Sequence, residues 1–133
     1  MGYYSVFDIS ASGMDVEKTR LNIASLNLAN VNTTRTADGG PYRPLSVITK
    51  ANTGVNFGVF VDQIQASNGP SKMVYEPKHP DANEKGFVAY PDINPVTEMI
   101  NLINITRSYE ANVRALNAAK KMMQSALQIG AGK

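Results

Sequence analysis

From Asn94 to Ile129 the chain reads NPVTEMINLINITRSYEANVRALNAAKKMMQSALQI. Leu102, Tyr109, Leu116 and Met123 recur every seven residues. Ile105, Asn112, Ala119 and Ala126 stand three further on, and Val113 and Leu127 fall on the adjacent stripe. This is the heptad pattern of a helix that packs lengthwise on another helix. Asn94 suits the N-cap and Pro95 the first helical position. Gly130 and Gly132 are expected to end the helix. At 1.5 Å per residue it would be roughly 50 Å long. Met99, Ile100 and Ile103 broaden the apolar surface of its first half. One antiparallel partner would not cover all of it.

Working back from this helix, a matching one is expected at the other end, from about Ser5 to Val31. Ser5-Val6-Phe7-Asp8 fits a capping box, with Tyr4 and Ile9 as a hydrophobic staple. Gly13 is the one weak spot. Phe7, Met14, Leu21 and Leu28 recur every seven residues, as do Ile9, Val16 and Ile23. The two series are offset by two residues, about 200° around a helix. They lie on opposite faces, so this helix has two apolar stripes to bury. A helix on the surface of a globule needs one.

Between the helices lies a section of short strands and turns. It opens with the polar loop Thr33 to Pro41. Strand pieces follow at Leu45–Thr49 and Val55–Ile64, the second with Val55, Phe57, Val59 and Val61 at period two. Asn68-Gly69-Pro70 is a turn. Met73–Tyr75 and Phe87–Tyr90 are further strands, separated by a loop over residues 77–83. So few short strands build little core of their own. The fold class is mainly α with a small β insert, the two long terminal helices packed as an antiparallel coiled coil. The segments are 1–31, 32–91 and 92–133. The pattern leaves two outcomes open. The second stripes are interfaces of an assembly, or the middle section covers them and the chain is an ordinary helical hairpin.

Composition narrows the function classes. The 133 residues are 43% hydrophobic and 18% charged, which is not the balance of a disordered chain. The formal charge is +2, and the longest basic run, Lys120-Lys121, sits in a helical stripe. No nucleic-acid partner is expected. The absence of Cys excludes a disulfide framework and a thiolate metal site. The start, Met1-Gly2-Tyr3-Tyr4, lacks a basic and apolar leader, so no ordinary cleaved signal is expected. No stretch is long and apolar enough to insert in a membrane.

No chemistry is expected either. The one histidine, His79, lies in a Pro-flanked loop, and a metal site needs several convergent ligands. Nucleophile elbows, P-loops and dinucleotide fingerprints are lacking. Glu76, Asp81, Glu84 and Asp92 read with Lys78 and Lys85 as a mixed-charge loop. The expectation is a protein with no catalytic, cofactor or metal site. Asparagines stand out instead. Asn22, Asn27, Asn30 and Asn32 crowd the end of the first helix, where Asn30 or Asn32 should cap it. Asn112 sits in the apolar stripe of the last helix, where a polar residue sets register.

Two segments carry a family resemblance. Residues 25–33, SLNLANVNT, resemble the N-terminal signature of flagellar basal-body rod and hook proteins. Residues 107–113, RSYEANV, followed by Leu116 and Met122-Met123, resemble their C-terminal motif. Residues 9–14, the loop Asn32 to Arg43, and the run Gly86 to Met99 point to the short, proximal members of the family. The likeness spans nearly the whole chain and is weakest from about Lys50 to Val74. One departure is Leu26, where the family usually has a small or polar residue.

The resemblance implies a structural, non-enzymatic rod subunit that transmits motor torque to hook and filament. It implies export in an unfolded state through the flagellar type III apparatus without a cleaved signal, and a place in the periplasmic rod of the basal body. Its partners would be other rod proteins and copies of itself in a helical tube. The expected assembly interface comprises Phe7, Met14, Leu21, Asn27, Leu28 and Asn30 of the first helix. On the last helix it comprises Leu102, Tyr109, Asn112, Val113, Leu116, Met123 and Leu127. The competing reading is a stand-alone helical adaptor or chaperone-like binding module.

Overall fold

The computed structural model describes residues 3–132, with the side chains of residues 3 and 4 outside the description. Its elements run α1 (Tyr3–Ala29), β1 (Leu45–Asn52), β2 (Gly58–Ala66), β3 (Lys72–Tyr75), β4 (Phe87–Tyr90) and α2 (Pro95–Ala131). Two terminal helices thus enclose a small β section, as the sequence pattern indicates.

α2 begins as expected. Asn94 has extended backbone, and its side-chain oxygen accepts the amides of Val96 at 3.0 Å and Thr97 at 3.3 Å. Glu98 adds a negative charge to the first turn, where the helix dipole favours it. The far end matches expectation in part. Gly130 stays helical and Gly132 is the C-cap. A lone Gly lowers helix stability by only about 1 kcal/mol and does not by itself stop a helix.

α1 also departs from its expected start. The chain is already helical at Tyr3, so Ser5 lies within the helix and the capping box does not form. No Gly or Pro stands between Tyr3 and Ser5 to break the helix. Ile9 is 45% exposed, and the Tyr4 half of the staple lies outside the described residues. At the C-terminal end α1 stops at Ala29, two residues early. Asn30 Nδ2 donates to the Leu26 carbonyl at 2.8 Å, and its Oδ1 accepts from Thr33 Oγ1 at 3.1 Å. Asn30 is the capping asparagine.

The helices pack side by side and run in opposite directions. Gly13 lies against Asn112, while Ile23, Ala24 and Asn27 share a groove with Glu98, Asn101 and Asn104. Gly13 is explained by this seam: a methyl there would come within 2.9 Å of Asn112 Nδ2.

The four strands form two separate antiparallel hairpins. β1 and β2 pair from Leu45 with Ala66 to Asn52 with Gly58. The second strand is shorter than expected at its start. Val55 and Phe57 lie in the reversal between strands, Val55 being 98% exposed. Apolar alternation cannot mark where a hairpin turns. Ile48 opposes Gln63 and Thr49 opposes Val61, so Asp62 is an extra residue, a β-bulge. Its carboxylate meets Lys50 Nζ at 2.9 Å. In the second hairpin Tyr75 stacks edge-on against Phe87 at 5.3 Å, and Val88 is fully buried.

Asp81 ties two loops together. Its carboxylate accepts the Thr34 hydroxyl at 2.8 Å and pairs with Arg35. His79 Nδ1 accepts the Asp81 amide at 3.0 Å. The Thr34 hydrogen bond, aided by the Arg35 charge and opposed by desolvation, holds the Asp81 carboxyl below its ordinary value. The tie is therefore fully formed above the usual carboxylate range and lost as pH falls through the lowered value.

The core is small. Among the described residues the buried apolar side chains are Val16, Ile23, Ala24, Val88 and Ala119, together with Pro91. No residue of β1 or β2 is buried. The accessible surface is 9412 Å² for 14.4 kDa. A compact protein of that mass exposes about 6,800 Å². Amide hydrogen exchange on the verified monomer is therefore expected to show weak protection along both helices. Strong protection through α1 and α2 would contradict this. On acidification, amide shifts of Thr34 and Asp81 should move together below the usual carboxylate range, and Asp81→Asn should abolish that step.

Candidate assembly interface

Asn27 organises the upper part of the molecule. It is 5% exposed, on the side of α1 that faces β1. Its Nδ2 donates to the Leu45 carbonyl at 2.9 Å, and its Oδ1 accepts the Leu45 amide at 2.9 Å. The same oxygen accepts the Tyr42 hydroxyl at 2.9 Å. Burial, and then the Glu98 carboxylate, push the Tyr42 phenol above its ordinary value, so it remains a donor. Two further polar contacts hold the hairpin on α1. Ser12 Oγ accepts the Val59 amide at 3.1 Å, and an Arg20 guanidinium nitrogen donates to Thr49 Oγ1 at 3.4 Å. Ser12, Arg20 and Asn27 are spaced about two turns apart, so one side of α1 carries all three. Gly58 fits the same contact: its φ is +144°, and a Cβ would sit 2.5 Å from Ser12 Oγ.

The residues expected at the interface fall into distinct settings. Asn27 is buried, with its hydrogen bonds spent inside the chain. Asn30 is half-buried in its cap. Phe7, Met14 and Leu28 are half-buried, and Leu21 is exposed. On α2, Leu102, Asn112, Val113, Leu116 and Met123 are half-buried on the side that packs on α1. Tyr109 borders that side at 38% exposure, and Leu127, at 65%, is free of it. α1 also meets the β1–β2 hairpin, with Ile23 beside Leu45 and Val47, so the middle section does cover part of the second stripe. α2 packs on α1 and on no strand. Its other side stays open, with Val96, Met99, Ile100 and Ile103 all more than half exposed. Their spacing of three and four residues is the sequence signal for this patch.

Reactive chemistry is not gathered here. No group of three or more His, Cys, Asp or Glu that could hold a metal occurs among the described residues. Their buried side-chain polar atoms all have partners. No helix among them is long and apolar enough to cross a membrane.

Comparison with known proteins matches these same two helices. Residues 7–35, α1 and the turn after it, match the family described as flagella basal body rod protein. Residues 84–129, β4 and most of α2, match the family described as flagellar basal body rod FlgEFG protein C-terminal. Over the whole chain, flagellar basal-body rod protein FlgC of Escherichia coli O157:H7 is 40% identical across 133 residues, covering 98% of this chain and 99% of that protein. FlgC of Borreliella burgdorferi is 36% identical across 149 residues, with 97% and 98% covered. FlgC of Bacillus subtilis is 35% identical across 150, with 98% and 99% covered. The chain belongs to the flagellar basal-body rod protein FlgC family. The resemblance drawn from its two end motifs therefore holds. Leu26, where it departs from the rod and hook pattern, is 47% exposed. The stretch from Lys50 to Val74, least like the rod proteins, falls outside both matched segments.

The Asn27 contacts make a quantitative expectation for this FlgC-family chain. Asn27→Ala leaves both backbone groups of Leu45 without partners, at a cost of about 1–3 kcal/mol. Thermal melts should show that loss, and NMR should show the first hairpin detaching from α1. At the helix seam, Gly13→Ala should gain stability only when Asn112→Ala is also present. The coupling should be about 0.5–3 kcal/mol in a double-mutant cycle.

Proposed function

We propose that the chain is a structural, non-enzymatic subunit of the proximal part of the bacterial flagellar rod, polymerising through its terminal helices. The observation that carries this is a coincidence of two sets of residues. The segments that match the rod families take in both helices. The helices bear most of the exposed large apolar side chains, the rest lying on the strands and the first hairpin's turn. In an assembled tube, one side of each helix faces the other helix of its own chain in a coiled coil. The remaining side of α2 faces neighbouring rod proteins and copies of the same chain. Residues 1–31 and 92–133 would form the tube-wall domain, with 32–91 as a smaller insert beside it.

Such contacts join different patches on each subunit, so they extend into an open helical polymer. Apolar burial repeated along the tube then gives a stiff shaft able to carry torque from motor to hook. No cofactor, metal, nucleic acid or membrane insertion enters this role. The small core suits passage through the flagellar type III export apparatus as an unfolded chain, without a cleaved signal, to the periplasmic part of the basal body. The helix is long, yet little stabilises it before its neighbours arrive.

Ile103→Asp tests the interface without touching the helix seam. An exposed substitution of this kind should change stability by no more than about 0.5 kcal/mol. Purified variant should keep its helical circular dichroism, while cells carrying it should lose rod incorporation and swimming. Normal swimming would count against the assignment of this face. A strain lacking the chain altogether should assemble no hook.

A further inference from the structure

The turn that joins the two hairpins reads Ala66-Ser67-Asn68-Gly69-Pro70-Ser71-Lys72, from the last residue of β2 to the first of β3. Asn and Gly suit a turn, the one by its local hydrogen bonding and the other by its free backbone. The same pair has a chemistry of its own. The carboxamide carbon of an asparagine can close a five-membered ring with the amide nitrogen of the next residue. A side chain on that next residue crowds the ring, and glycine has none. No other asparagine of the chain precedes a glycine.

The fold leaves this pair open. Every residue from Ser67 to Lys72 is exposed. Among the described residues nothing hydrogen-bonds to the Asn68 side chain. Ser67 is anchored, its amide donating to the Pro44 carbonyl at 2.8 Å. Beyond it the Gly69 amide stands outside both strand ladders and donates to Ser67 Oγ at 3.2 Å. The other pair able to close such a ring, Asp38-Gly39, is held differently. The Gly39 amide donates to the Thr36 carbonyl at 3.0 Å, and the Thr36 amide to the Gly40 carbonyl at 2.9 Å. Asp38 also presents a carboxylate, a poorer electrophile than a carboxamide.

We propose that Asn68 is a site of spontaneous covalent modification, deamidating through a ring closed with Gly69 to aspartate and isoaspartate, at a rate the Ser67 hydroxyl restrains. Hydroxide takes the Gly69 amide proton, and the freed nitrogen forms a bond to Asn68 Cγ. The bond from Cγ to the carboxamide nitrogen breaks, and that nitrogen takes a proton from water and leaves as ammonia. Water then adds to a carbonyl carbon of the ring, and the ring bond from that carbon to nitrogen breaks. Opening at Cγ gives aspartate. Opening at the main-chain carbonyl gives isoaspartate, whose backbone runs through the former side chain and is one carbon longer. No oxidant or reductant is needed. The proton lost in the first step is the one now given to Ser67 Oγ, so that hydrogen bond slows the reaction. Either product adds one negative charge to a chain of formal charge +2. The charge arises beside the depression that Gly69 and Pro70 line with Arg43 and Asp92. The isoaspartyl form also lengthens the link between β2 and β3.

The test carries its own controls. Trypsin cuts after Lys50 and Lys72, and the peptide between them holds Asn52 and Asn56 as well as Asn68. All three are exposed, so a difference in rate comes from the following residue and its amide. The purified full-length chain is incubated at mildly alkaline pH and sampled over days. Mass spectrometry of this peptide locates the exchange of NH2 for OH, and enzymatic methyl transfer from S-adenosylmethionine counts isoaspartate. Asn68 should convert at least tenfold faster than Asn52 or Asn56, at a rate that rises with hydroxide. Asn68→Gln should remove most of the methyl acceptance. Ser67→Ala, an exposed change with little effect on stability, should at least double the rate at Asn68. A rate at Asn68 no higher than at Asn52 and Asn56 would overturn the proposal. So would methyl acceptance that survives Asn68→Gln undiminished, which would place the isoaspartate elsewhere. A rate at Asn68 that does not rise in Ser67→Ala would overturn the restraint assigned to Ser67.

Discussion

A pair of helices can hide only the sides that face each other. That limit governs this molecule. α1 escapes part of it by lying against two partners, α2 on one side and the β1–β2 hairpin on another. α2 has α1 alone, and its outer apolar residues remain in water. Few apolar side chains are fully buried as a result, and a large surface stays exposed. The chain has the burial of an unfinished structure. In the proposed rod, the apolar surface left open would meet the next subunit.

The hairpin is attached differently from the helices. None of its residues is buried, and it is held to α1 through Ser12, Arg20 and Asn27. Hydrogen bonds of this kind add about 1 kcal/mol each when formed and more when one partner is lost. They fix where the hairpin sits more than they stabilise it. Asn27 has the largest share, since one amide satisfies both backbone groups of Leu45. The position of β1 along α1 in turn sets the groove between β1 and α2. A single asparagine thereby links the end of α1, the first strand and the space beside α2.

Some departures from expectation share one cause. The helix boundaries shifted by two residues at either end because capping residues suggest ends but do not enforce them. Ser5 could have capped α1 and instead lies within it; Gly130 could have ended α2 and does not. The second strand lost Val55 and Phe57 to the turn because alternation is the same on both sides of a reversal. The bulge at Asp62 left no mark in the pattern at all.

The sequence by itself determined the two helices and the strand-bearing insert, and left open whether the second stripes are covered. Periodicity is a local property, and it shows which sides of a helix avoid water. It also holds the end motifs, which place the chain among flagellar rod proteins. The place of Asn112 in the apolar stripe was legible, though its neighbour Gly13 was not. Only the tertiary structure decided which stripe meets which neighbour. Asn27 finds its partner 18 residues away, Ser12 finds Val59 47 away, and no spacing rule reaches that far. The groove between the helices depends on how the two are aligned. That alignment, in which Gly13 lies against Asn112, is a property of the folded chain.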